Sequence, residues 1–467
     1  MSPRSMNTIL IRGGTIITLD PQRRILKDGA VLIEGTDIAY VGKLSALTTR
    51  ARVGRVIDAS GKLVLPGLIN THMHLEYSGI DRGIGDDLPL QAFVTERVRP
   101  SEAVATADDV YISTLLSCLE MIRTGTTCVC DTGGYQPEIV AKALVESGMR
   151  ATVAHGSVDV SPPERPLLGS QNMTTEENLS RSEDLIRKWH GAAADRIRVR
   201  CGIRILPNAS RELILGLDRI SRMHGVGVNI HLSDTEEVVE TARRMRGCTE
   251  IEYLDRLGVL DSRWMGVHMI WLSDHEVEIV RNRNMMVSHC PGAALHLGFG
   301  CTRAGRFAEM AAKGVTIALS QDSATANNSL DMFRSMNLVS IHKDMHADPT
   351  VFPPEKVLEM ATIDGAKALL WEDKIGSLEP GKKADLILID VTGANWVPMH
   401  EFSIVPNLVY SGDGRDVETV IIDGRIVMEK RRIKTIDAEA VLQKGQLASE
   451  ELQKRSHVAI SPRWTIE

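Results

Sequence analysis

Leu63-Val64-Leu65-Pro66-Gly67-Leu68-Ile69-Asn70-Thr71-His72-Met73-His74 is an apolar, strand-like run that ends in polar residues. Alternate side chains of an extended strand share a face, so His72 and His74 can hold one metal ion from the strand's end. Asn70 lies on the same face, and an Asn70 and His72 pair would serve instead if the strand ended earlier. Imidazole is the better ligand for a borderline metal than a neutral amide oxygen, which favours His72 and His74.

Downstream, His231 follows Val226-Gly227-Val228-Asn229-Ile230, His268 follows Met265-Gly266-Val267, and Asp322 follows Val315-Thr316-Ile317-Ala318-Leu319. Parallel barrel strands bring such ends together on one rim, where barrel active sites are built. A single histidine beside an apolar run is ordinarily a core residue. Four histidines and an aspartate, all at strand ends, are not so explained.

The texture of the chain agrees. Strand signals crowd residues 8 to 58: Ile9 to Leu19, Ala30 to Glu34, Ile38 to Val41 and Val56-Ile57, with turns at Asp28-Gly29 and Gly35-Thr36. From residue 67 strands alternate with helices, as where Tyr111, Leu115, Leu119 and Ile122 recur at helical spacing within Asp108 to Arg123. Counted from Leu68, further strands at Thr126 to Asp131, Ala151 to Ala154, Ile197 to Ile205, Gly227 to Ile230, Gly266 to His268, Met285 to Ser288 and Val315 to Leu319 make eight. The fold class is therefore α/β, a (β/α)8 TIM-type barrel. After residue 380 the β texture returns in Ala384 to Asp390 and Glu418 to Ile422, with Asp423-Gly424 as a hairpin turn. The expected organisation is a small β-sandwich domain built from both chain ends, residues 1–66 and 381–467 with a terminal helix, around a barrel at 67–380.

At 467 residues the chain exceeds the usual ceiling for one compact core. A formal charge of −7, without a basic stripe or long charge block, gives nucleic acid no surface to bind. No apolar run is long enough to span a membrane and no signal peptide opens the chain, so a cytoplasmic protein is expected. The seven cysteines read as reduced, buried thiols, Cys128-Val129-Cys130 as strand packing. The loop from Ser161 to Ser180 is either a cover for the pocket or a plain surface excursion. His155, His289 and Trp271 line the pocket or pack behind it.

These residues resemble the amidohydrolase superfamily, in its cytosine-deaminase-like and chlorohydrolase-like branch with one metal. The resemblance runs from Ile9-Leu10-Ile11-Arg12-Gly13-Gly14 to Val420-Ile421-Ile422-Asp423-Gly424-Arg425. Its most specific pieces are Pro66 to His74, Ile375-Gly376-Ser377-Leu378-Glu379-Pro380-Gly381-Lys382-Lys383-Ala384-Asp385 and the Gln321-Asp322-Ser323 turn. It implies one divalent ion, zinc before cobalt, iron or manganese, on His72, His74, His231 and Asp322. It makes Asp322 the proton shuttle and has His268 orient the attacking oxygen or polarise the electrophilic carbon. It also implies a small-molecule substrate and a homo-oligomer. The strand ends at Asp131 and His155 offer no lysine to bridge a second metal; Asp131 is the one carboxylate there that could.

Departures from the branch bear on substrate. Its deaminases carry a glutamate three residues after the strand histidine, where this chain has Asp234. The acid is withdrawn by roughly 1 to 1.5 Å, the length of a carbon–carbon bond, and a proton relay is sensitive to such a shift. Ser288-His289-Cys290-Pro291-Gly292-Ala293-Ala294-Leu295 replaces an Asn-Pro followed by Ser-Asn and implies an apolar floor, and Ser320-Gln321-Asp322-Ser323 stands for Gly-Thr-Asp-Gly. This subgroup looks like the phenylurea and thiocarbamate (molinate) hydrolases. The expected activity is hydrolysis of a urea, amide or carbamate-type bond in a small apolar molecule. The alternative is an aminohydrolase or dechlorinase acting on a heteroaromatic ring, such as an adenosine derivative or s-triazine; a silent binding barrel would have lost ligands.

Overall fold

The computed structural model describes residues 8–49, 52–162 and 172–466. Eight parallel strands form the barrel: β1 (Leu68–Met73), β2 (Thr126–Asp131), β3 (Arg150–Ser157), β4 (Ile197–Ile205), β5 (Val228–Leu232), β6 (Trp264–His268), β7 (Met286–His289) and β8 (Ile317–Leu319). They pair in chain order, and most are buried throughout, so they read as continuous apolar runs. The seam between β8 and β1 lacks a regular ladder. Thr71 Oγ1 donates to the Leu319 carbonyl at 3.0 Å and the Asp322 amide donates to the His72 carbonyl at 3.1 Å, which fixes Asp322 beside β1.

A second, nine-stranded mixed sheet takes strands from both ends of the chain, among them Thr8–Ile17, Ile25–Glu34, Asp37–Lys43, Lys62–Pro66, Leu386–Asp390 and Val417–Ile422. Val31, Ile33 and Ile38 share one apolar cluster with Leu386, Leu388 and Ile421 from the far side of the hydrogen-bonded path, so the sheet folds on itself as a sandwich does. The Asp28-Gly29 pair is not a turn. It lies within the strand Ile25–Glu34, where the pairing register shifts on either side of Gly14 and Asp28 takes a φ of 49°. A bulge uses the same residue types as a turn. Asp423-Gly424 does form the hairpin, between the paired Ile422 and Arg425.

The Pro66-Gly67 step carries the chain from that sheet into β1. A Cβ on Gly67 would stand 2.1 Å from Thr127 Oγ1, so only glycine passes β2 this closely. Asp385 of the Lys383-Ala384-Asp385 motif accepts the Gly67 amide through its carbonyl at 3.1 Å. Its carboxylate takes Arg150 bidentately, from Nε at 2.7 Å and Nη2 at 3.0 Å, with Asp423 at 3.1 Å from the same nitrogen. This fully buried pair ties β3 to the second sheet. Arg150→Met is expected to lower stability by about 3–5 kcal/mol, because Asp385 and Asp423 are left without their cation. Urea unfolding reads it; an unchanged midpoint would mean the pair is dispensable.

The helix Ala107–Arg123 begins at a Thr106 and Asp109 capping box. The terminal helix Ala438–Ser456 packs Val441 and Leu452 against its Ile112, Leu115 and Leu119. Helix also starts at Thr175, capped by Thr174, earlier than the loop reading to Ser180 allowed. The central part of that loop, residues 163–171, lies outside the described residues, and its role as a cover with it. Among the described residues no helix is long and apolar enough to cross a membrane.

Candidate active site

At the carboxyl end of the barrel the five strand-end residues meet. His72 Nε2 and His74 Nε2 lie 3.7 and 3.6 Å from Asp322 Oδ1, His268 Nε2 lies 4.0 Å from Oδ2, and His231 Nε2 lies 3.3 Å from His74 Nε2. Ligand atoms about 2.1 Å from a tetrahedral ion lie about 3.4 Å from one another. The His72–Asp322, His74–Asp322 and His231–His74 separations lie close to that spacing. His72, His74 and His231 form one metal-capable group, and His72, His268 and Asp322 belong to a second that includes Cys290.

The protonation states agree with that use. Burial, and for His72, His74 and His231 the neighbouring imidazoles, hold the rings below the ordinary histidine range, His231 and His268 at about 3, so they are neutral with lone pairs available. His231 Nδ1 donates to the Arg204 carbonyl at 2.6 Å, which leaves Nε2 as the acceptor facing the site. Neither ring nitrogen of the fully buried His72 has a hydrogen-bond partner among the described residues. Buried polar atoms are rarely left so; a cation between the rings would supply the missing partner. Burial also pushes the Asp322 carboxyl up to about 7. The donor set fits a divalent metal.

Backbone strain marks the same rim. Ser233, His268 and Asp322 have φ of 51°, 71° and 62°, the left-handed region that non-glycine residues seldom adopt. Each turns the chain off the barrel where a site side chain must point inward.

A cleft opens over these residues. Leu90, Phe93, Val94 and Val98 from the segment after β1 face Leu297 and Phe299 from the segment after β7, and Asp234, Asn208, Tyr135 and Arg204 supply polar atoms. A sequence profile described as "Amidohydrolase family" matches residues 63–427. The chain belongs to the amidohydrolase family. It is 35% identical over 451 residues to a 5'-deoxyadenosine deaminase of Methanosarcina mazei, covering 96% of this chain and 99% of that protein. A 5-methylthioadenosine/S-adenosylhomocysteine deaminase of Pelotomaculum thermopropionicum is 34% identical, covering 94% and 98%. Among solved structures, an adenosine deaminase from Xanthomonas campestris with bound zinc superposes with a TM-score of 0.88 at 26% identity, covering 96% and 98%. As a member of its family the protein is a hydrolase of carbon–nitrogen bonds other than peptide bonds.

The geometry bears on other sequence readings of this amidohydrolase, several of which the sequence left open. Asn70 is not aimed at the metal-capable cluster: its Oδ1 accepts the Gln321 amide at 3.1 Å and the His72 amide at 3.4 Å, stapling β1 to the Asp322 turn. Asp131 accepts the Leu75 amide at 2.9 Å and lies outside both donor groups. Thr71, Ser288, Ser320 and Cys290 form a buried chain of contacts at 2.7, 2.9 and 3.1 Å, and none of the four lines the cleft. The apolar surface comes from the side walls. His155 bonds Asn178 at 3.2 Å, His289 stacks on Phe307, and Trp271 donates to the Phe299 carbonyl at 2.7 Å; none of the three lines the cleft. All seven cysteines are free and buried, Cys128 and Cys130 in β2.

Sequence reasoning missed Arg204, Tyr135 and the position of Cys290. Arg204 had a signal of its own, a charge interrupting the apolar end of β4, of the kind that marked His231. Tyr135 had none.

Proposed function

We propose that this amidohydrolase is a metal-dependent aminohydrolase that displaces an amino group from a ring carbon of a heteroaromatic substrate such as an adenosine derivative. One observation carries the reading: the metal-capable cluster and Asp234 line one cleft with apolar side walls, in a chain matched almost end to end by deaminases. His72, His74, His231 and Asp322 would hold one divalent ion, zinc by the character of the donors, with cobalt, iron and manganese as substitutes. When bound, the ion supplies a water activated for attack.

The protein's own groups do the rest. Asp322 takes the proton of the attacking water and delivers it to the departing amine. His268 holds the attacking oxygen through Nε2, its ring fixed edge-on against Phe299 at 5.2 Å. Asp234, 5% exposed, protonates the ring nitrogen beside the attacked carbon. Phe93, Val98 and Phe299 exclude bulk water from the ring face.

A second reading, hydrolysis of a urea, amide or carbamate-type carbonyl bond, draws on a specific feature. Asp234 Oδ1 accepts the amide of the next residue, Thr235, at 2.7 Å, which draws the shorter acid toward its own helix and away from a ring nitrogen. Mass spectrometry of the metal-loaded protein with adenosines, guanine, cytosine and triazines beside phenylureas, thiocarbamates and N-acyl anilines separates the two. Loss of ammonia from a ring is the expected result; chloride loss alone, or amine or thiol release from the second set alone, overturns it. Asp234→Asn is expected to lower kcat on the nucleoside about a hundredfold with metal content unchanged, whereas carbonyl hydrolysis would hardly respond. The free thiols suit the cytoplasm, and assembly as a homo-oligomer follows from the family resemblance.

A further inference from the structure

Three rim segments meet in one polar group on the cleft wall. Arg204 from β4 extends its guanidinium between Glu102, in the helix Arg99–Val104 after β1, and Tyr135, which follows β2. Nη2 donates to Glu102 Oε1 at 2.5 Å and Nη1 to the Tyr135 hydroxyl oxygen at 3.0 Å. The side chains of Arg204 and Glu102 are 18% and 3% exposed, so cation and anion cancel in a largely dry setting. The group presents no net charge to the cleft and is not built for an anion.

What it does present is a phenol. The Tyr135 oxygen already accepts from Arg204, which leaves its proton to donate, and among the described residues no acceptor takes it. A donor whose own oxygen is hydrogen-bonded to a cation is a stronger donor, because successive hydrogen bonds polarise one another. Tyr135 lines the same cleft as His74, His231, Asp234 and Asp322. The Arg204 carbonyl meanwhile orients His231, so one residue links the metal-capable cluster to the cleft wall.

We propose that Tyr135, braced by Arg204 and Glu102, is a specificity-determining residue whose O–H binds a neutral sp² acceptor of the substrate, a ring nitrogen or carbonyl oxygen remote from the reacting carbon. The inference deepens the aminohydrolase reading and rests on it for the substrate class. Such a site discriminates against analogues lacking the acceptor, since binding them leaves the donor unpaired.

The test compares wild type and Tyr135→Phe on 5'-deoxyadenosine and its 3-deaza and 7-deaza analogues, at matched metal content. On the parent nucleoside, Tyr135→Phe is expected to raise KM about 10- to 100-fold with kcat within about threefold. On the analogue that lacks the acceptor, the two proteins become equal. Arg204→Met combined with Glu102→Gln, which removes the pair without stranding a charge, is expected to give part of the KM rise. Equal KM for wild type and Tyr135→Phe on the parent, or the same deficit on every analogue, overturns the inference. If wild type releases no ammonia from any nucleoside, the proposed function falls instead. Equilibrium binding of the same nucleosides then decides for Tyr135: a Kd raised about tenfold or more supports it and equal Kd values overturn it.

Discussion

Replacing Asp322 by asparagine is expected to lower turnover by about a thousandfold or more while the metal-free protein folds and melts as its metal-free parent does. The fold should survive because nothing structural at this position needs a carboxylate. The amide of residue 322 still donates to the His72 carbonyl, and an asparagine oxygen still accepts the Ser323 amide, which Asp322 Oδ1 holds at 2.7 Å. Asparagine also tolerates the left-handed φ of 62° better than most residues. Turnover should not survive, because under the proposed mechanism the substitution removes both an anionic ligand and the base that moves a proton from water to leaving group. In the metal-free protein burial pushes the carboxyl up to about 7, so a neutral replacement relieves a desolvation penalty, and the melting temperature of the metal-free variant is not expected to fall below that of the metal-free parent. The measurements are kcat at matched metal content and a thermal melt by circular dichroism. Activity within about tenfold of the parent would remove Asp322 from the mechanism.

The reach of sequence reasoning can be followed residue by residue. His72, His74, His231, His268 and Asp322 were legible because a parallel barrel puts strand ends in one place, whatever the intervening loops do. Asn70 was read as sharing the strand face of His72 and His74, but its partners were not legible. The β1–β2 register breaks between Asn70 and Met73, and strand alternation does not say that the side chain caps the Gln321 turn. Asp28-Gly29 has the composition of a turn and serves as a bulge, a difference set by the partner strand rather than by the pair itself. Tyr135 and Glu102 sit on connections whose approach to Arg204 depends on three segments at once, and no local pattern encodes that. Asp234 is the instructive case for function: a single shortened side chain suggested another substrate class, while the full-length relatives are named as deaminases.

Removing the metal should have the second large effect, abolishing turnover and lowering the melting temperature by several degrees, with zinc restoring both. The buried nitrogens of His72 have no partner among the described residues, and each buried polar group left unsatisfied costs about 1–3 kcal/mol. An ion that binds the folded state alone stabilises it by about 4 kcal/mol at a thousandfold excess over its dissociation constant. The comparison that isolates the site is His72→Ala against Asn70→Ala. Loss of one ligand weakens metal binding severely, so His72→Ala is expected to purify with little metal and to melt independently of added zinc. Asn70→Ala should keep full metal stoichiometry, because the Asn70 oxygen is taken by the Gln321 and His72 amides, yet lose activity as the Asp322 turn loosens from β1. Plasma emission spectroscopy of the purified proteins reads the stoichiometry. If Asn70→Ala loses the metal and His74→Ala, prepared beside these two, keeps it, the ligand pair is Asn70 and His72, and the strand enters the site one alternate position earlier than the geometry places it.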